Sequence, residues 1–269
     1  MPTLEYTSSL YYYQAQLIAS KIADVLGFRE DAGKFSSRAQ VTRDAIVAKY
    51  YKGDGVWDDG RQTAQAMALG FGVVPASEVK RTEDALVSAV LRTGGHVDFG
   101  IFGAKTVFRA LSRAGRSDLA LQMIVRPDFP SFGHWVEQGA TSLWEHWNGK
   151  SSRNHIMFGD FAAWAMQFIG GIRLSPSADW SDMIPSPTAP ASKEILLSPI
   201  PIDGLDFAEA ETETPYGIVF SRWERTSTGI RYRVSIPGGA TARFVVPGMP
   251  EKVIGPGEHV FTSTSSLWD

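Results

Sequence analysis

The sequence predicts a mainly α-helical domain followed by a small all-β domain. Two patterns lead to this prediction. Apolar residues recur at helical spacing from Ser8 to about Ile172, and they alternate strictly in the stretch 230–236. The chain has 269 residues, of which 43% are hydrophobic, enough to bury a sizeable core. Because helices come first and strands last, a parallel sheet with crossover helices is disfavoured.

About seven helices are predicted, separated by turns that contain Gly, Pro or Asp. The first ends at Gly27, and the second runs from about Glu30 to Tyr51. Their apolar stripes consist of Leu10, Tyr13, Leu17, Ile18, Ile22 and Val25 in the first, and Phe35, Val41, Ile46 and Val47 in the second. The others are expected at about 61–70, 78–91, 103–114, 117–124 and 157–171. Successive helical hairpins fit either an open α-solenoid or an arc of an α/α toroid.

Composition changes after Ile172, where prolines and serines accumulate in "RLSPSADWSDMIPSPTAPASK". We therefore predict a helical domain at 1–173, an extended linker at 174–194 and a β domain at 195–269. In the β domain, one face of a strand carries Ile230, Tyr232, Val234 and Ile236. An antiparallel sandwich that stabilises the helical domain fits this pattern.

Charge and motif content exclude several classes of function. The net charge of −3 provides no basic surface for nucleic acid, and the absence of cysteine rules out disulfides, thiolate metal sites and a cysteine nucleophile. The histidines show no metal-ligand spacing such as HExxH, and neither a phosphate-binding Gly-rich loop nor a GxSxG elbow occurs. We therefore expect no metal and no cofactor.

The chain contains no apolar run long enough to span a membrane, and "MPTLEYTSSLYYYQ" has neither the basic nor the apolar part of a signal peptide. We expect no membrane partner. A cytoplasmic location is expected if Met1 is the genuine start.

Aromatic and acidic residues suggest where chemistry could occur. Tryptophans cluster at Trp135, Trp144, Trp147 and Trp164, and Trp57 lies in the acidic loop "GDGVWDDGRQ". Indole faces stack on sugar rings while carboxylates accept hydroxyl hydrogens, so a carbohydrate site is one interpretation. Packing of the aromatic rings in a helical core is the other.

Glu145 lies between Trp144 and Trp147. Desolvation by indole rings would raise its pKa towards the range of a general acid or base. Alternatively, Glu145 is a surface residue or pairs with Arg153. Glu137 is a possible second carboxylate for glycoside hydrolysis, although the intervening Gly139 makes one continuous helix doubtful.

Two histidines lie in turns and are either structural or in contact with a ligand. His96 leads "GGHVDFGIFGAK", with Asp98 two residues later, and His155 precedes an apolar segment.

These motifs together resemble the C-terminal part of bacterial α-L-rhamnosidases, glycoside hydrolase family 78. The resemblance runs in order through nearly the whole chain. The matching stretches are "GRQTAQAMAL", "GGHVDFGIFGAK", "ALSRAGRSDLALQMI", "PSFGHWVEQGATSLWEHWNG", "SSRNHIMFGDFAAWAMQFIGGI", "TPYGIVFSRW" and "YRVSIPGGATARFVVP".

The resemblance implies part of an (α/α)6 six-hairpin toroid followed by a C-terminal β-sandwich. It also implies inverting hydrolysis of terminal α-L-rhamnose from glycans or glycosides. By this resemblance Glu145 matches the general base and His155 a sugar contact. Four further residues match positions near the pocket: Trp135, Trp147, His96 and Trp57.

One part of the family pattern is not found. The family's general acid lies in an Asp/Gly-rich motif upstream of the position of Tyr6, and nothing in "MPTLEYTSSLYYYQ" resembles it. About seven helices are also too few to close a ring of six hairpins. We therefore expect the general base without the general acid, and an exposed apolar face covered in a homo-oligomer or by a complementing upstream chain, or else poor solubility. The alternative function is a non-catalytic glycan-binding or scaffold protein derived from a glycosidase.

Overall fold

The computed structural model describes residues 2–174 and 192–264, which form two compact units. The first comprises residues 2–160, and the second comprises residues 161–174 and 192–264. Most of the predicted linker, 174–194, lies outside the described residues.

The first unit is built of helices joined by short turns, with α8 beginning at its end. They are α1 (Leu4–Val25), α2 (Arg29–Tyr50), α3 (Gln62–Gly70), α4 (Val79–Arg92), α5 (Ile101–Arg113), α6 (Ser117–Val125), α7 (Phe132–Glu137) and α8 (Asp160–Trp164). Short 3₁₀ turns lie at Ala76–Glu78 and Ile156–Phe158. The positions of α1 to α6 agree with the prediction to within a few residues, whereas α7 was not predicted.

Helix α3 forms the centre of this unit. Every residue from Gln62 to Leu69 is buried, and α3 packs against both α4 and α5. An unpaired buried polar group would destabilise the fold, so the buried polar side chains of α3 need hydrogen-bond partners. Gln62 finds them in the loop between α4 and α5. The Gln62 amide donates to Thr93 Oγ1 at 3.0 Å and to the carbonyl of His96 at 2.8 Å, and its Oε1 accepts from the Asp98 N–H at 3.0 Å.

The apolar stripe predicted for α1 is wrong in part. The helix is buried through Tyr6, Leu10 and Tyr13, whereas Ile22 and Val25 are 54% and 66% exposed. The cause is that α1 carries two apolar faces rather than one. The second face, at spacings of seven, four and three residues, consists of Leu4, Tyr11, Ile18, Ile22 and Val25. Val41 of α2, also expected on a buried face, is 69% exposed.

The helix predicted at about 157–171 is divided into three pieces. The 3₁₀ turn Ile156–Phe158 precedes α8, and a π-helical segment, Ala165–Ile169, follows it. Gly159 lies between the 3₁₀ turn and α8. A periodicity of apolar residues does not distinguish these hydrogen-bonding patterns.

The second unit contains two four-stranded sheets. One has the order β1 (Ile172–Arg173), β2 (Glu194–Leu197), β6 (Thr241–Phe244) and β7 (Lys252–Ile254), and the other the order β3 (Phe207–Thr214), β4 (Gly217–Thr226), β5 (Gly229–Ile236) and β8 (Gly257–Ser263). All neighbouring strands are antiparallel except β2 and β6. Between these two parallel strands the chain forms β3, β4 and β5 of the other sheet.

The alternation predicted in β5 is confirmed. Ile230, Tyr232, Val234 and Ile236 are all buried between the sheets. Across this core Tyr232 meets Phe244 edge-on at 5.6 Å, and Phe244 stacks on Phe261 at 4.5 Å. The unit is therefore a small β-sandwich, stabilised mainly by apolar burial.

Within the described residues, each helix is too short or too polar to cross a lipid bilayer. The same residues contain no group of His, Asp and Glu placed to hold a metal ion.

Substitution of two helical glycines by alanine should have opposite effects on the stability of the first unit. At Gly103 an added Cβ would lie 2.3 Å from Phe99 Cβ and 2.7 Å from Thr63 Oγ1. At Gly33 the added Cβ meets nothing within 4 Å. We expect Gly103→Ala to lower the free energy of unfolding by about 1–3 kcal/mol through overpacking. Gly33→Ala should raise it by about 0.5–1 kcal/mol.

Urea unfolding followed by circular dichroism measures both changes. Equal stability of the two variants would contradict the packing described around α5.

Candidate functional site

A cavity of about 460 Å³ opens in the first unit. Its walls come from the loop before α5, the segment 129–130 and the long connection between α7 and α8. Residues that matter for its chemistry are Arg61, Asp98, Phe99, Glu145, Trp147 and Phe158. The structure thus brings two of the predicted site residues, Glu145 and Trp147, into one cavity.

Trp147 is fixed within a cluster of aromatic rings. Its ring stacks on Trp135 at 4.6 Å between centroids and lies 4.5 Å from Phe158. The Trp147 indole N–H donates to the Phe99 carbonyl at 2.8 Å, and the Trp135 indole N–H donates to the Trp147 carbonyl at 2.8 Å. Because both the ring and the backbone are held, Trp147 presents a preorganised apolar surface to the cavity.

Glu145 is held by a turn of its own connection. Its N–H donates to the Ser152 carbonyl at 2.8 Å, and the Ser152 N–H donates to Glu145 Oε2 at 3.2 Å. The His155 N–H donates to the Leu143 carbonyl at 2.8 Å and closes the same turn. These bonds fix the direction of the carboxylate without neutralising it.

The pKa of Glu145 lies below its ordinary value. The main cause is the backbone N–H of Ser152, followed by the side chain of Ser151. Partial burial opposes the shift, and electrostatic interaction with the nearby His155 and His146 adds to it. The raised pKa expected from desolvation by indole rings is therefore wrong. An ionised carboxylate at neutral pH is the form that accepts a proton, as a general base requires.

Trp144 and Arg153 contact each other. Trp144 is 6% exposed, and the Arg153 guanidinium lies over its ring at 4.7 Å. The expected alternative of a Glu145–Arg153 ion pair is not found, since Arg153 Nε donates to the Gly149 carbonyl at 3.2 Å.

The other predicted residues lie at different distances from the cavity. His155 is near enough to Glu145 to influence its pKa. Trp135 is 2% exposed and supports Trp147 from behind. His96 lies next to the cavity wall, where its ring nitrogens contact the Thr93 carbonyl at 2.9 Å and Asp128 Oδ2 at 2.8 Å.

Trp57 and Glu137 are not brought to this cavity. Trp57 is fully buried, and its indole N–H donates to Thr82 Oγ1 at 3.2 Å. Glu137 is exposed at the end of α7 and does not line the cavity. Contacts between a sugar and Trp57, Trp135, His96 or His155 stay predictions.

Sequence reasoning missed an ion pair in the cavity wall. Arg61 Nε and Nη2 lie 2.8 Å and 2.7 Å from the two oxygens of Asp98. Arg61 comes directly before α3 and Asp98 directly before Phe99, so two separate loops must meet. The sequence signals were only the presence of Arg61 in "GRQTAQAMAL" and of Asp98 beside His96.

Two protein domain families match the chain. The bacterial alpha-L-rhamnosidase 6 hairpin glycosidase domain matches residues 3–169, and the bacterial alpha-L-rhamnosidase C-terminal domain matches residues 184–261. The chain belongs to the bacterial α-L-rhamnosidase family. The predicted resemblance is thereby confirmed, as is a partial six-hairpin toroid followed by a β-sandwich.

Curated α-L-rhamnosidases are similar to this family member over most of its length. One from Alteromonas sp. (strain LOR) is 29% identical over 253 residues, which cover 89% of this chain and 26% of the relative. One from Formosa agariphila is 26% identical over 272 residues, covering 97% of this chain and 28% of the relative. The chain thus spans about a quarter of the length of the curated rhamnosidases it matches.

Solved rhamnosidase structures share the fold. The α-L-rhamnosidase from Dictyoglumus thermophilum superimposes with a TM-score of 0.84 at 25% identity, covering 95% of this chain and 31% of that one. The Streptomyces avermitilis α-L-rhamnosidase, solved in complex with L-rhamnose, gives 0.83 at 23% identity, covering 94% and 26%.

The ionisation of Glu145 can be measured directly. Carbon-13 NMR of the side-chain carboxyl groups against pH should give a pKa for Glu145 below the ordinary value of a glutamate side chain. Assignment comes from the loss of one signal in Glu145→Gln. A Glu145 pKa at or above that ordinary value would contradict the hydrogen bonding described for Ser152.

Proposed function

We propose that this chain carries the general-base part of an inverting α-L-rhamnosidase active site. The supporting observation is Glu145, ionised and held by the turn at Ser152, in the same cavity as the fixed face of Trp147. The family membership supports rhamnose-containing glycans or glycosides as the substrate class.

In this proposal Glu145 accepts a proton from water, and the water oxygen attacks the anomeric carbon. The bond from that carbon to the aglycone oxygen breaks as the new bond forms on the opposite face. The leaving oxygen takes its proton from a general acid. The Trp147 face holds the sugar ring through its C–H groups, and the turn at Ser152 keeps the carboxylate directed.

The general acid must be a protonated group. The carboxylates that line the cavity, within the described residues, are Asp98 and Glu145. Asp98 is engaged in an ion pair with Arg61, and the lowered pKa of Glu145 suits it to accept a proton, so neither is assigned as the proton donor. We therefore propose that polypeptide outside these 269 residues supplies the acid.

Hydrolysis of an aryl α-L-rhamnoside tests the assignment. We expect turnover when the chain is combined with the polypeptide encoded directly upstream of it, and little for the chain alone. Glu145→Gln should lower the rate of the combination about 10²–10⁴-fold, since it removes the general base. The matched control Glu137→Gln, on an exposed glutamate, should change it little. Activity that survives Glu145→Gln would overturn the role of Glu145.

A second function, non-catalytic glycan binding, is favoured because no carboxyl group that lines the cavity among the described residues is assigned as a proton donor. Calorimetry with L-rhamnose distinguishes the two. Binding without turnover in the combination would support the binding function, whereas turnover would exclude it.

The second apolar face of α1 supports a partner for this chain. Ile22 and Val25 are more than half exposed, and Leu4 is 79% exposed on the same face. Large exposed apolar patches mark interaction surfaces. We propose that helices of the polypeptide that supplies the general acid cover this face.

Without that partner the face should cause the chain to self-associate. Light scattering coupled to size-exclusion chromatography should show species larger than the monomer. Val25→Lys should shift them towards the monomer, and Val253→Lys, on an exposed residue of β7, should not. A wild-type chain that stays monomeric at every concentration would contradict the proposed covering of α1.

A further inference from the structure

An ion pair forms part of the wall of the Glu145 cavity. The Arg61 guanidinium meets the Asp98 carboxylate side-on, with Nε–Oδ2 and Nη2–Oδ1 distances of 2.8 Å and 2.7 Å. The side chains are 48% and 27% exposed. Ion pairs this accessible contribute little to stability in general, so packing alone gives no reason to place one here.

The backbone of both residues is anchored by hydrogen bonds to neighbouring side chains, and the pair itself restrains the two side chains. The Asp98 N–H donates to the fully buried Gln62 side chain at 3.0 Å. The Arg61 N–H donates to Asp59 Oδ1 at 3.1 Å. A side chain that is already fixed loses less conformational entropy when a ligand binds to it.

The loop that carries Asp98 also holds Trp147, the residue proposed to bind the sugar ring. Phe99, the residue after Asp98, accepts the indole hydrogen of Trp147 through its carbonyl at 2.8 Å. Trp147 and Glu145 lie in the same short segment, and all of these residues line one cavity. A sugar held against Trp147 is therefore within a cavity that also contains Arg61 and Asp98.

The pair still has hydrogen-bonding capacity. Its two contacts use Nε and Nη2 of Arg61, so in the described part of the chain the Nη1 hydrogens have no partner. The carboxylate oxygens of Asp98 can each accept more than one hydrogen bond. The result is a donor beside an acceptor with no net charge. This combination suits neighbouring hydroxyl groups of a neutral sugar better than an anionic ligand.

We propose that the Arg61–Asp98 pair is a specificity determinant, which binds two neighbouring hydroxyls of the sugar in the Glu145 cavity. The proposal rests on the proposed function, because it assumes that this cavity is the rhamnose site. The pair acts in recognition and takes no part in proton transfer.

The test measures binding of L-rhamnose, and of analogues that each lack one ring hydroxyl, to the full chain by calorimetry. The variant is Arg61→Gln with Asp98→Asn, which removes both charges, keeps the size of residue 98 and leaves a shorter polar side chain at residue 61. We expect the affinity for L-rhamnose to fall about 10-fold or more, because hydrogen bonds to charged groups are lost. The wild-type chain should bind two of the analogues more weakly than L-rhamnose, and the variant should no longer distinguish those two from L-rhamnose.

A matched control comes from the β-sandwich. Arg243 and Glu251 form a similar side-on pair, with distances of 2.7 Å and 3.1 Å and about half-exposed side chains, in the other unit. Arg243→Gln with Glu251→Gln should leave rhamnose affinity unchanged. Circular dichroism and urea unfolding of both double variants show whether the fold is intact. If Arg61→Gln with Asp98→Asn unfolds the chain, Arg61→Lys replaces it as the test variant. This substitution keeps the positive charge but removes the two parallel N–H donors of the guanidinium, so it should weaken rhamnose binding in the same way.

The outcomes separate the two proposals. Unchanged affinity and unchanged analogue discrimination in a folded variant would overturn the role of the pair and leave the proposed function intact. No binding of L-rhamnose by the wild-type chain or by its combination with the upstream polypeptide would overturn the proposed function, and this inference with it.

Discussion

The candidate site depends on one hydrogen bond inside an aromatic cluster, from the Trp147 indole N–H to the Phe99 carbonyl. The two residues are 48 apart in the sequence, and their bond joins the loop before α5 to the long connection between α7 and α8. That connection is mostly irregular, so its position depends on such contacts rather than on a helix or strand. Leaving this carbonyl or the indole N–H unpaired in partly buried surroundings would cost about 1–3 kcal/mol. The bond therefore fixes where Glu145 can lie.

Given this position, local backbone geometry sets the electrostatics of Glu145. The Ser152 N–H favours the ionised carboxylate more strongly than partial burial opposes it, so the pKa falls. A base with a lowered pKa is fully ready to accept a proton but has less intrinsic basicity. The fixed indole face, the directed carboxylate and the Arg61–Asp98 ion pair, which has no net charge, together form a cavity suited to a neutral sugar.

Patterns with a fixed period could be predicted from the sequence, as the buried face of β5 at Tyr232 and Val234 shows. The family motifs also named Glu145 and Trp147 together, and both line one cavity. Contacts between separate loops could not be predicted, because neither Arg61 nor Asp98 carries a local signal of its partner. The pKa of Glu145 was predicted in the wrong direction, since neighbouring indoles in sequence do not reveal where a backbone N–H points. The exposed residues of α1 were misassigned because one helix can carry two apolar faces.

We propose that the cavity at Glu145 binds the sugar. A crystal structure of the Glu145→Gln chain with L-rhamnose at saturating concentration tests this proposal. We expect a sugar ring against the face of Trp147, with its anomeric carbon towards residue 145. A cavity without sugar, with L-rhamnose bound only elsewhere on the chain, would contradict it.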